Sequence, residues 1–200
     1  SVTGNKIDIV CDCLGVAGGW TPAVHLFTQS GGKLTFDETN KVFLPNKYPS
    51  EQISVGSCNG DFKIKEIINN LSINLKEFLN IEKTDFDNIT VESEEDNSKR
   101  NIWLLPSDKP LGKTKPFVDY QNDATAKDIK LALREGFRSI EHVKRYTTTG
   151  MGTDQGKLGN MHALGIIADT ADVKMGELGT TTFRPPYTPL TFGTIVGRNV

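Results

Sequence analysis

Between Thr125 and Tyr146 the sequence carries two short helical stripes in succession, and this pairing limits what can be built around it. Ala126, Ile129, Leu131, Ala132 and Leu133 recur at a spacing that brings apolar side chains close to one helix face. Thr125 with Asp128 makes a capping-box-like start, Asp standing where Glu is usual, and Gly136 marks the end. Ser139 then caps a second helix bearing Ile140, Val143 and Tyr146, and a third is predicted from about Leu158 to Ala171. Helices this short are marginal alone in water, so their stripes must be buried against one another. The segment therefore reads as a small helical domain over 117–175.

Upstream the rhythm changes to that of an α/β unit. Ile7 to Leu14 reads as an apolar strand, Gly15 to Pro22 as a glycine-rich turn, and Leu34–Phe36 with Val42–Leu44 as short strands around a turn at Glu38 to Asn40. Ile53-Ser54-Val55 is a further short strand ending at Gly56. Phe62, Ile64, Ile67, Ile68, Leu71, Leu75, Phe78 and Leu79 then follow the three- and four-residue spacing of an amphipathic helix, with Asn59 or Asp61 available as its cap. These patterns divide the chain into an α/β region over 1–80, a linker with short strands over 81–116, the helical domain, and a proline-rich connector over 176–200. The acidic stretch from Asp85 to Arg100 reads as a solvated loop. The abrupt start at Ser1 and the Pro185-Pro186 tail suggest a piece of a longer chain.

A formal net charge of -2 with scattered Lys and Arg argues against a dedicated nucleic-acid or membrane-surface binder, and no apolar run approaches a membrane span. Cys11, Cys13 and Cys58 match neither a disulfide framework nor a metal pattern, which points to a reducing compartment, with the cytoplasm as default.

Two elements have nucleotide-friendly chemistry. Val16-Ala17-Gly18-Gly19 follows a strand and needs bare backbone, either for a tight turn or for close approach of a ligand. Gly56-Ser57-Cys58-Asn59-Gly60 sits before the long helix, whose start presents N–H groups suited to a phosphate or ribose oxygen. The complete Gly-x-Gly-x-x-Gly fingerprint is missing. A third candidate runs from Lys144 and Arg145 through Tyr146, Thr147, Thr148 and Thr149 to Gly150, where cations, hydroxyls and a glycine turn suit a phosphate. The plainer alternative is a helix end whose cations meet the C-terminal dipole. His25, His142 and His162 read as packed or surface residues, Trp20 and Trp103 as packing residues, and Asp119 and Asp123 as loop or cap residues.

The first two elements resemble the later motifs of flavin-and-nicotinamide two-dinucleotide enzymes, with Gly18 in an Ala-Thr-Gly-like turn and Gly56-Ser57 in place of a Gly-Asp strand end. That replacement implies that the pocket does not hold FAD in the usual way. Phe117 to Lys157 is similar to the helical [2Fe–2S] domain of the bacterioferritin-associated ferredoxin type, but its four cysteine positions fall on Asp119, Gln121, Thr153 and Gly156. The scaffold is retained and the cluster ligands are gone. This combination, with Gly18-Gly19-Trp20-Thr21-Pro22, Glu141-His142-Val143-Lys144-Arg145-Tyr146-Thr147 and the Phe183-Arg184-Pro185-Pro186-Tyr187 tail, resembles the alpha subunits of heterotetrameric sarcosine oxidases.

The resemblance implies a mixed α/β fold: the end of a Rossmann-like, two-dinucleotide-binding domain followed by a ferredoxin-like helical domain without its cluster. It implies a part in the oxidative demethylation of sarcosine to glycine, with hydrogen peroxide and methylene-tetrahydrofolate or formaldehyde as the other products. NAD and FMN would be bound in the intact complex, with FAD and tetrahydrofolate elsewhere and no iron–sulfur cluster. The partners would be beta, gamma and delta subunits and further domains of the same chain. Ser57, Phe62 and Ile64 fall at NAD-lining positions, Gly18, Gly56 and Gly60 are further cofactor-binding positions, and Lys144 to Gly150 fall on the FMN side, with no catalytic residue here. Two alternatives stay open: an electron-transfer module of a related amino-acid dehydrogenase, and a non-catalytic docking scaffold.

Overall fold

The computed structural model describes residues 7–15, 19–91, 102–184 and 188–198. After a short helix α1 (His25–Gln29), strands β1 (Lys33–Asp37) and β2 (Val42–Lys47) pair as an antiparallel hairpin in which Phe36 faces Phe43 in register. Its turn is held by Asp37, whose carboxylate accepts the Thr39 N–H at 2.8 Å and the Asn40 side-chain amide at 2.7 Å. Helix α2 (Ile64–Leu79) follows, then short helix α3 (Leu111–Thr114), and a small antiparallel pair, β3 (Phe117–Asp119) with β4 (Ala124–Thr125). The helical unit comprises α4 (Ala126–Arg134), α5 (Ile140–Thr147), α6 (Asn160–Ala171) and α7 (Met175–Leu178), and α8 (Phe192–Val196) lies in the tail.

The helical expectation holds closely. Thr125 Oγ1 accepts the Asp128 N–H while Asp128 accepts the Thr125 N–H at 2.8 Å, a complete capping box. At the other end of α4, Gly136 takes φ 99° and its N–H reaches the Leu133 carbonyl, while the Phe137 N–H reaches Ala132. This is the Schellman closure that favours glycine. Ile129 and Ile167 are fully buried, and Val143 is nearly so, where α4, α5 and α6 meet. Phe43 belongs to the same cluster, and Leu34 and Phe36 pack against it. The hairpin and the helical unit thus share one core, consistent with the mixed α/β class.

Several local expectations change. Residues 7–14 form no strand, and Ile9 and Val10 are fully exposed or close to it. A strand exists only through a ladder, and among the described residues no strand lies beside this run. Ile53–Val55 is extended but equally unpaired, and it leads into a 3-10 turn over Gly56–Asn59. That turn displaces the start of α2. Neither Asn59 nor Asp61 caps the helix, whose N-cap is Lys63 with no side-chain cap bond. Asp85–Asn88 also winds into a 3-10 turn, and Ser72 of α2 meets Thr84 at 3.0 Å and donates to Asp87. Among the described residues the 81–116 linker holds no strand. Trp103 instead lies over Gly165 of α6, where an added Cβ would clash with the indole. Trp20, expected to pack, is 78% exposed.

Candidate functional site

The loops on either side of the helical hairpin are drawn together by side chains. Asp119, at the end of β3, accepts the Gln121 N–H at 2.9 Å and the Asn122 N–H at 3.0 Å on one carboxylate oxygen. Its other oxygen accepts the Gly150 N–H at 2.6 Å. Gln121 completes the closure, donating from Nε2 to Thr153 Oγ1 at 2.8 Å and accepting the Asp154 N–H at 3.2 Å. Three of the four positions aligned with cluster cysteines thus take part in this closure, and the fourth, Gly156, packs against Asn160 where an added Cβ would clash. Burial raises the Asp119 pKa, but the Gly150, Asn122 and Gln121 N–H groups outweigh it and hold the carboxyl below its ordinary value. Among the described residues no group of His, Cys, Asp or Glu is placed to hold a metal ion.

The Lys144–Gly150 segment divides into two kinds of residue. Thr147 and Thr149 are buried, their hydroxyls 2.7 Å apart, and Thr147 Oγ1 also donates to the Val143 carbonyl. Gly150 is bound to Asp119, and Thr149 lines a small recess with Lys144, Asn160 and Thr181. Lys144, Arg145, Tyr146 and Thr148 face outward, Tyr146 leaning on Phe137 with ring centroids 4.9 Å apart. Thr148 adopts a left-handed turn, φ 59°, at the C-terminus of α5.

Cations gather at this end. Lys144 donates to the Thr182 carbonyl at 3.4 Å, and Arg145 pairs with Glu141 at 3.0 Å. Glu141 also accepts the Thr182 N–H at 2.6 Å. Burial lowers the Lys144 pKa, the nearby Arg184 and Arg145 lower it further, and Glu141 opposes them. Lys144 and Arg145 therefore share the Glu141 carboxylate while Arg184 lies near Lys144, and an anion is the ligand such a cation-rich corner suits. Sequence spacing could not have supplied Arg184, because the tail brings it back across the end of α5.

The other candidate corner is formed as a turn. Gly56 and Gly60 take φ 80° and 86°, and a Cβ on Gly60 would fall 2.6 Å from Leu44, so this glycine lets the turn pack on β2. Ser57 and Ile64 are exposed and Phe62 is half-buried beside the start of α2. Gly18 lies outside the described residues. A separate apolar recess, which sequence reasoning missed, is lined by His25, Phe43, Ile140, Met161, Leu164 and Phe183. Burial and the charge of Lys157 lower the His25 pKa to about 4, against a smaller raising effect of Asp154, and its ring lies 3.7 Å from Phe183. The histidine is thus a packed, neutral residue.

This architecture is shared with a solved chain of L-proline dehydrogenase from P. horikoshii, at a TM-score of 0.58 and 22% identity over 89% of this chain and 37% of that one. At that identity the likeness defines a fold class. Residues 113–198 match the sarcosine oxidase A3 domain. The chain belongs to the family of sarcosine oxidase alpha subunits, of which it represents a part. It is 38% identical to the sarcosine oxidase alpha chain of Rhizobium meliloti over 97% of its length, and 36% identical to that of Corynebacterium sp. strain P-1 over 94%. It spans 20% of the length of each. A 73-residue stretch is also 36% identical to one of the opine oxidase subunits of Rhizobium meliloti, covering 36% of this chain and 16% of that one. Among the described residues no helix is long and apolar enough to cross a membrane.

Proposed function

We propose that this chain forms cofactor-binding walls within the alpha subunit of a cytoplasmic sarcosine oxidase that also contains beta, gamma and delta subunits. The reaction served is the oxidative demethylation of sarcosine to glycine, with hydrogen peroxide and methylene-tetrahydrofolate or formaldehyde formed. FAD and tetrahydrofolate are held outside this segment. The observation that carries the reading is the pairing of Lys144 and Arg145 with the single carboxylate of Glu141, with Arg184 brought close to Lys144.

That charge set fits the phosphate of FMN, and the neighbouring exposed Tyr146 offers an aromatic face to a flavin edge. FMN, when bound, supplies the electron-carrying chemistry. Lys144 and Arg184 neutralise its phosphate, and the fixed turn after α5 orients it. Ser57, Phe62 and Ile64, with the bare backbone at Gly56 and Gly60, line an NAD contact of the same subunit. No iron–sulfur cluster is held by this domain, because Asp119 and Gln121 direct their hydrogen-bonding capacity to Gly150, Thr153 and Asp154.

The test is cofactor content of the co-expressed complex. Lys144→Ala with Arg145→Ala is expected to lower FMN retention while FAD stays bound, and unchanged FMN would overturn the reading. Iron in the purified complex, assigned by spectroscopy to this domain, would overturn the cluster-free part.

A further inference from the structure

Asp119 stands where the related iron–sulfur pattern has a cysteine, yet it is not idle. It is 6% exposed, and one of its oxygens bridges two loops, accepting the Asn122 side-chain amide at 3.3 Å beside the Gly150 N–H. The other ties down its own turn through the Gln121 and Asn122 N–H groups. Gly150 ends the turn that follows the cationic end of α5. That turn begins in a left-handed residue, Thr148, and includes Thr149, whose hydroxyl is 2.7 Å from that of Thr147. A Cβ on Gly150 would clash with the Asn160 side chain, so the turn is closed on one side by α6 and on the other by the Asp119 carboxylate. A cluster thiolate in such a domain also accepts backbone N–H bonds. The carboxylate carries a like charge and does the same without iron.

We infer that Asp119 is the positioning residue of the Thr147–Gly150 turn, so that the orientation of the flavin wall at the end of α5 is set by a carboxylate standing in a vacated cluster position. The inference rests on the FMN reading given above. It adds that the lost cluster site still acts on a cofactor, through backbone geometry.

The experiment uses the full-length chain assembled with its partner subunits. Asp119→Asn retains an oxygen for Gln121 and Asn122 but turns an amide N–H toward the Gly150 N–H. Loss of that charge-assisted bond is expected to weaken FMN binding roughly tenfold. The visible circular dichroism of the bound flavin should change as well, a readout that general loss of stability does not produce. Asn122→Ala removes only the 3.3 Å bond from its side-chain amide to the oxygen that also accepts Gly150, leaving the charge and the Gly150 bond in place, and is expected to keep FMN affinity within about twofold of wild type. Equal effects of the two substitutions, or wild-type affinity and dichroism in Asp119→Asn, would overturn the inference. Should Asp119→Asn fail to assemble, Asp119→Glu decides. It keeps the charge but displaces it by one methylene, so weakened FMN binding supports the inference and wild-type affinity overturns it. If Lys144→Ala with Arg145→Ala lowers FMN retention and the Asp119 variants do not, only this inference is lost. If none of these variants changes it, the flavin reading is lost too.

Discussion

Gln121 and Thr153 meet side chain to side chain at 2.8 Å, closing a loop pair that lies on opposite sides of the α4–α5 hairpin. Both residues are exposed, so the bond competes with water and its net worth is small. In a double-mutant cycle with Gln121→Ala and Thr153→Val, the coupling energy is expected to be about 0.5–1 kcal/mol by urea unfolding. Strict additivity would show that the contact contributes nothing.

The capping box at Thr125 is the more costly element to remove. Thr125→Ala strips the acceptor from the Asp128 N–H and is expected to destabilise the protein by about 1 kcal/mol, whereas Thr125→Ser should retain most of the stability. Thermal or chemical unfolding of the two variants side by side decides the matter.

Gly165 is required by its neighbour. Alanine is a better helix former by about 1 kcal/mol, but here its Cβ would meet the Trp103 indole and force it off α6. Gly165→Ala is therefore expected to lower stability by about 1–3 kcal/mol despite the propensity gain. In a Trp20→Phe background, the emission of Trp103 should shift to the red. Unshifted emission would show that the indole accommodates the methyl group in place.

His25 makes stability depend on pH. Its folded pKa of about 4 lies below the ordinary value of 6.5, so the unfolded chain takes up a proton first as pH falls. The contribution is complete above pH 6.5 and is lost progressively toward about 4. The loss should be on the order of 1–2 kcal/mol, allowing for residual solvation of the ring. In His25→Leu that part of the decline is expected to vanish, as followed by unfolding at about pH 7, 5.5 and 4.5. An identical pH profile in the variant would assign the decline to other groups.

The helical unit is legible in the sequence because local rules agree there. Thr125, Asp128, Gly136 and Ser139 punctuate the chain where the apolar period changes, and each boundary appears within a residue or two. The run Ile7–Leu14 misleads because apolar content specifies a strand only when another strand lies beside it, which local sequence does not reveal. Similarly, Lys144 and Arg145 are visible as adjacent cations, but their third companion is Arg184, whose approach depends on the path of the tail. Thr147 and Thr149 carry hydroxyls visible in the sequence, but their burial depends on how α5 packs.

Phe43, on the second strand of the hairpin, is 5% exposed inside the cluster formed by α4, α5 and α6. The helical unit is consequently not an interchangeable cassette. A gene trimmed to 117–198 would leave α6 and α7 wetted where Phe43 and Phe36 had covered them. Any graft of this unit between homologous oxidoreductases has to carry 33–47 with it, or supply an equivalent aromatic lid.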